Sequence, residues 1–298
     1  MKYEEYVKCN LCHRECGVNR YEKSGFCNTG AKMLIARAAP HMWEEPCISG
    51  TRGSGTIFFS GCSLSCVFCQ NREISRGKVG KTVSSAELSE IMLRLQSEGV
   101  HNINLVTPTH FVPEIKDAVA ISRGEGLKIP IVYNTGNYEK EETLKSLSGT
   151  VDIYLPDAKY YLKKSAEKYS KAPEYPRFLI ENITEMLRQV GSPGFNGEGV
   201  MTRGVIVRIL LLPSHTAEAK LVLSSLYKSF GDEIYISLMN QYTPMPGMEK
   251  PLDRRVSRAE YDELLEYALK LGVKNAYFQS EGTADESFIP PFNLDGVR

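Results

Sequence analysis

Eight cysteines lie within the first 69 residues of this 298-residue chain, and none follow. Their spacing divides them into sets. Cys62, Cys66 and Cys69 form C-x3-C-x2-C after the apolar run Ile57 to Phe59 and a turn at Gly61. Cys9, Cys12, Cys16 and Cys27 form C-x2-C-x3-C-x10-C, and Cys47 stands alone between Pro46 and Ile48 as a small buried side chain. Disulfide frameworks belong to small secreted domains, so clustered thiols in a chain this long read as metal or cluster ligands. Three thiolates with no fourth cysteine downstream leave one coordination position open, which a catalytic centre needs and a structural one avoids. The quartet can close a four-ligand site by itself. A structural metal staple is the expectation there, either zinc or an iron–sulfur cluster, with an auxiliary redox cluster as the other reading and His13 as a bystander.

The bulk composition excludes several classes. Apolar content is 42%, charged content 24% and formal net charge zero, so the basic footprint of a nucleic-acid binder is missing. The N-terminus is charged and has no apolar core of a secretory signal. The richest apolar run, VIVRILLLP, is short and interrupted by Arg208, so no membrane partner is expected and the expected location is cytoplasmic. GTRGSGT does not match G-x-G-x-x-G, because Phe58 stands where the last glycine belongs.

Elements that could position the thiols follow from periodicity. Short apolar runs predict strands at 56–59, 103–106, 131–134, 152–156, 205–212 and 233–239, with a weaker one at 275–279. Capping boxes at Ser84/Glu87 and Ser257/Glu260 open two of the intervening helices. The alternation predicts an α/β fold, a partial (β/α)6 TIM-type barrel over residues 51–298, preceded by a small Cys-rich metal-binding extension over 1–50. Barrel chemistry gathers at the C-terminal ends of strands. Polar residues do follow the strands: Thr107 to His110, Asn134 to Asn137, Asp157 and Lys159, Ser214 and His215, Asn240 to Tyr242. The Gly-rich stretch 191–200 reads as a mobile loop.

The cysteine motif, with aromatic Phe68 before its last cysteine, resembles the radical S-adenosylmethionine (SAM) signature. The chain as a whole resembles the pyruvate formate-lyase-activating enzyme group, and within it a branch with an N-terminal cysteine cluster and a GTRGSGTIFFSGC-type run. The resemblance implies that Cys62, Cys66 and Cys69 hold a [4Fe–4S] cluster whose open iron chelates SAM. It implies reductive cleavage to a 5′-deoxyadenosyl radical that abstracts hydrogen, with flavodoxin or ferredoxin as reductant and a glycyl-radical protein as partner. A small-molecule or peptide substrate is the alternative, and a non-enzymatic Fe–S carrier or scaffold a third reading. Where the activating enzymes have Gly-Gly-Glu to meet the SAM amine, this chain has Thr107, Pro108 and Thr109. Asn134 and Thr135 replace an Asp-Thr pair that helps bind a monovalent cation, and Asp157 and Lys159 keep an Asp-x-Lys motif. Arg208 matches a strand arginine and needs a carboxylate partner. Phe68 is expected near the adenine, and Gln241 with its neighbours Asn240 and Tyr242 near adenine or substrate. His110 and His215 read equally as proton donors or as structural histidines.

Overall fold

A computed structural model describes residues 2–77, 79–279 and 290–297. The strands are β1 Leu34–His41, β2 Ser54–Phe59, β3 Lys81–Thr82, β4 Ile103–Val106, β5 Ile131–Thr135, β6 Ile153–Pro156, β7 Gly194–Phe195, β8 Met201–Leu210, β9 Tyr235–Met239 and β10 Ala276–Phe278. They form one sheet in the order β10-β9-β8-β6-β5-β4-β2-β1-β3, with β7 paired to β8. From β2 to β10 the neighbours along this path are parallel, while β1 runs antiparallel to both β2 and β3. The sheet does not close. It is a partial TIM-type barrel, as expected.

Helices cross between successive parallel strands and cover the outer face. The strands β2, β4, β5 and β6 are buried at every position, because helices lie outside and side chains fill the inside. Both capping boxes form: Ser84 accepts from the Glu87 N–H ahead of the helix Ser85–Ser97, and Ser257 from the Glu260 N–H ahead of Arg258–Leu271. Each such cap contributes about 1 kcal/mol.

Two elements depart from expectation. Leu34–His41 is a strand although its Ala, Pro and His content reads as a connector. It lies within residues 1–50 yet pairs with β2, so this part of the N-terminal stretch is built into the barrel sheet. The stretch 191–200 is a hairpin rather than a patternless loop: Gly194 pairs with Arg203, and the Asn196 side chain accepts from the Glu198 and Val200 N–H groups. The hairpin draws β8 back to Met201, ahead of the expected start at 205.

Parallel register brings the strand ends level. Val106 lies beside Asn134, Thr135 beside Pro156, and Asp157 bridges to Arg208, which is level with Ser237. The C-terminal ends of β2, β4, β5, β6 and β8 therefore face one space.

Candidate active site

That space is a cavity of about 610 Å³. Its rim begins at Gly61, whose φ of +92° suits glycine and whose absent Cβ leaves room for the Cys27 carbonyl and Thr29. From there the chain turns Cys62, Cys66 and Cys69 onto one wall. All three are free and half-buried. Burial and then the neighbouring sulfurs push the Cys62 thiol up, and the same two causes raise Cys69 to about 11. Thiols raised in this way, as at Cys62 and Cys69, become thiolates together only around a strongly positive group. The Cys66 sulfur accepts a hydrogen bond from the Ser170 hydroxyl at 2.9 Å, and Tyr160 holds that hydroxyl at 2.5 Å. Phe68 lines the wall and meets Tyr169 and Tyr242 edge-on.

Facing the thiols is a charged row. Arg208 donates to Asp157 at 2.8 Å and to Asn134 at 2.6 Å, and Lys159 donates to the other Asp157 oxygen at 2.6 Å. Burial by itself would raise Asp157, but Arg208 and Lys159 outweigh it and hold the carboxyl below its usual range. Burial would lower Lys159 and Arg208, but Asp157, joined by Cys66 at Lys159 and by Glu45 and Glu44 at Arg208, outweighs it and keeps both charged. The carboxylate partner that Arg208 required is therefore Asp157. Of the side-chain oxygens expected to meet a monovalent cation, Asn134 and Asp157 are engaged by the chain's own cations, and the Thr135 hydroxyl donates to Glu139.

Of the remaining expected residues, Thr107, Thr135 and Gln241 line the cavity, whereas Pro108 and Thr109 do not. Thr107 sits at φ +59°, a strained conformation for a β-branched residue, with its N–H bonded to the Asn134 carbonyl. Thr109 turns its hydroxyl away to Glu139 at 2.5 Å, correcting the expectation that it stands free for an amine. Glu139 is fully buried and also accepts from Thr135, tying the ends of β4 and β5 together.

His110 and His215 are structural. His110 bonds the Ser60 carbonyl at 2.8 Å, and burial drives its pKa down to about 3. His215 bonds Pro213 and packs on Tyr169, off the cavity. Tyr242 donates to the Leu252 carbonyl and is likewise core.

The quartet does not reach the cavity. It rides on a segment docked at the rim by backbone and side-chain bonds. Cys62 N–H meets the Cys27 carbonyl, His13 N–H the Tyr138 carbonyl, and Arg14 donates to Ser63 at 2.7 Å and Ser170 at 2.8 Å. His13 stacks on Phe178, and burial lowers its pKa to about 4. Among the described residues no three His, Cys, Asp or Glu side chains are set to share one metal ion, so the expected zinc staple has no formed single-ion site. A cluster, whose thiolates bind separate irons, does not require that convergence.

Two acidic residues in the cavity wall were not foreseen. Glu44 and Glu45, on the stretch between β1 and β2, enter the interior from below. Nothing in their local sequence, MWEEP, marks them as site residues.

Residues 56–223, more than half of the chain, match the Radical SAM superfamily. This chain belongs to that superfamily. Membership implies a [4Fe–4S] cluster and SAM, and three thiols on one wall of a cavity that also holds charged and apolar side chains suit that pair of groups. Over 284 residues the chain is 28% identical to the uncharacterized protein MJ0674 of Methanocaldococcus jannaschii, covering 91% of this chain and 77% of the relative. Among solved structures it is similar to SuiB of Streptococcus suis, with TM-score 0.53 and 16% identity over 75% of this chain and 47% of that one. The form of SuiB bound to S-adenosylmethionine gives TM-score 0.52 and 15% identity, over 74% and 48% of the two chains. At such identity the likeness is one of fold, and this radical SAM chain spans about half of SuiB's length. No helix among its described residues is long and apolar enough to cross a membrane.

Proposed function

We propose that this chain is a radical SAM enzyme that cleaves SAM reductively and uses the product radical to abstract hydrogen. The observation that carries this reading is the pairing, across one cavity, of Cys62, Cys66 and Cys69 with the row Asn134, Asp157, Lys159 and Arg208. Cys62, Cys66 and Cys69 would hold the cluster, which, when bound and reduced by a flavodoxin or ferredoxin, would supply the electron for cleavage of a carbon–sulfur bond of SAM. The chain's own residues hold and orient. Asp157 fixes Lys159 and Arg208 as donors for the SAM carboxylate, the strained Thr107 presents backbone and hydroxyl oxygen, and Phe68 offers an aromatic face for adenine.

The resemblance to the activating enzymes favours a glycyl-radical protein as target. The acidic floor of the cavity favours the alternative, a small molecule or peptide, because a glycine backbone carries no charge for Glu44 or Glu45 to meet. EPR separates the two. A glycyl doublet after mixing the reduced, SAM-loaded enzyme with a glycyl-radical protein supports activation. A failure with every glycyl-radical protein encoded alongside the enzyme, while SAM is still cleaved, supports the alternative.

A further inference from the structure

The thiol rim accounts for one end of the cavity and leaves the other without a role. β1 ends level with the start of β2, His41 opposite Ser54, so the stretch that follows begins at the end of the barrel remote from the thiols. It carries Glu44 and Glu45 inward. Glu45 is only 7% exposed, and its Oε2 has no hydrogen-bond partner. Glu44 meets Arg208 at 3.6 Å, a loose contact to a guanidinium already committed to Asp157 and Asn134.

Among the described residues the carboxyls of Glu44, Glu45 and Asp157 outnumber the lysine and arginine side chains of this cavity, Lys159 and Arg208. Burial pushes the Glu44 and Glu45 carboxyls up, and Arg208, helped by Asn104 at Glu44 and by Ser237 at Glu45, offsets this only in part. A buried carboxylate oxygen without a donor is costly, and a charged N–H brought to it relieves that cost with a short, strong bond. From the level of Arg208 towards the thiol rim the wall turns apolar, with Leu210 and Met239 at the ends of β8 and β9, Leu212 beyond them, and Tyr277 and Phe278 on β10.

Resting on the radical SAM reading, we infer that this floor recognises a cationic nitrogen of the substrate, an ammonium or guanidinium group on an apolar stem, with Glu45 Oε2 as its acceptor. The apolar wall takes the stem. The carbons of that stem then lie between the floor and the thiol rim, where a hydrogen can be taken.

The test uses anaerobically reconstituted full-length protein with SAM present. n-Butylammonium is the probe and n-butanol its uncharged match, with binding followed by calorimetry or ligand-observed NMR. Butylammonium should bind at least about tenfold more tightly than butanol, and Glu45→Gln should remove roughly that factor, the range of a charge-assisted hydrogen bond. The proposal is overturned if wild type does not prefer the amine, or if E45Q binds it equally well. It is also overturned if E45Q weakens SAM and not the amine, since the floor would then serve SAM. The same samples, reduced with dithionite, are assayed for 5′-deoxyadenosine. Product without amine preference sinks this inference alone, whereas absence of product with an intact cluster sinks the radical reading beneath it.

Discussion

The two cysteine sets lie against one another at the barrel rim and differ in one respect that decides their roles. Cys62, Cys66 and Cys69 face the cavity, opposite a row of charged side chains, whereas Cys9, Cys12, Cys16 and Cys27 are turned away from it. The first set is placed by the sheet, directly after a fully buried strand. The second is placed by docking, through Arg14, Tyr6 and a few backbone bonds. What each set faces supports the proposed division of these thiols between reaction and support.

The largest expected difference is in turnover. Alanine at Cys62, Cys66 or Cys69 should abolish 5′-deoxyadenosine formation with circular dichroism unchanged. Alanine at Cys9 or Cys12 should leave product per remaining site cluster and lower the melting midpoint, by roughly 5 °C for a loss of 1–2 kcal/mol. Equal loss of turnover from both sets would erase the distinction.

Next is the row that faces only the first set. Arg208→Ala strands Asp157, Glu44 and Glu45 with one cation fewer, and breaking a buried pair costs about 3–5 kcal/mol. Urea unfolding measures it. A loss below about 1 kcal/mol would mean that Arg208 behaves as a surface arginine.

A smaller effect separates the sulfurs electrically. Ser170→Ala removes the hydrogen bond to Cys66, and a donor to a cluster sulfur favours the more negative, reduced state. The reduction potential of the SAM-perturbed EPR species should fall, and Ser170→Thr should restore it. No change in S170A would show that this bond does not reach the cluster.

The smallest effect concerns the docked segment. Tyr6 donates to Glu114, and burial raises that carboxyl to about 7. The folded state then binds the Glu114 proton more tightly than the unfolded state does. This contribution is fully present below pH 4.5 and is lost as pH rises towards 7, by at most about 3 kcal/mol. Glu114→Gln should flatten that part of the stability–pH curve. A curve unchanged by E114Q would place the dependence elsewhere.

The readable parts of the site were contiguous or forced. The cysteine motif sits in eight consecutive positions, 62–69, after a strand whose apolar run is plain. Arg208 inside VIVRILLL demanded a carboxylate, and Asp157 supplies it because parallel register sets the two side by side. The floor was illegible for the opposite reason. Glu44 and Glu45 reach the cavity only because β1 pairs antiparallel with β2, and β1 itself carries weak strand propensity. Thr109 was misread because its hydroxyl partner, Glu139, lies on another strand's loop, where local spacing gives no sign of it.

The central claim is that the cysteine wall and the charged row together cleave SAM. Wild-type protein, reconstituted anaerobically with iron and sulfide, is given SAM and dithionite, and 5′-deoxyadenosine and methionine are quantified. The account expects both in equal amounts, with neither formed when Cys62, Cys66 and Cys69 are replaced together. An intact cluster that perturbs on adding SAM yet yields no 5′-deoxyadenosine under reduction would contradict it.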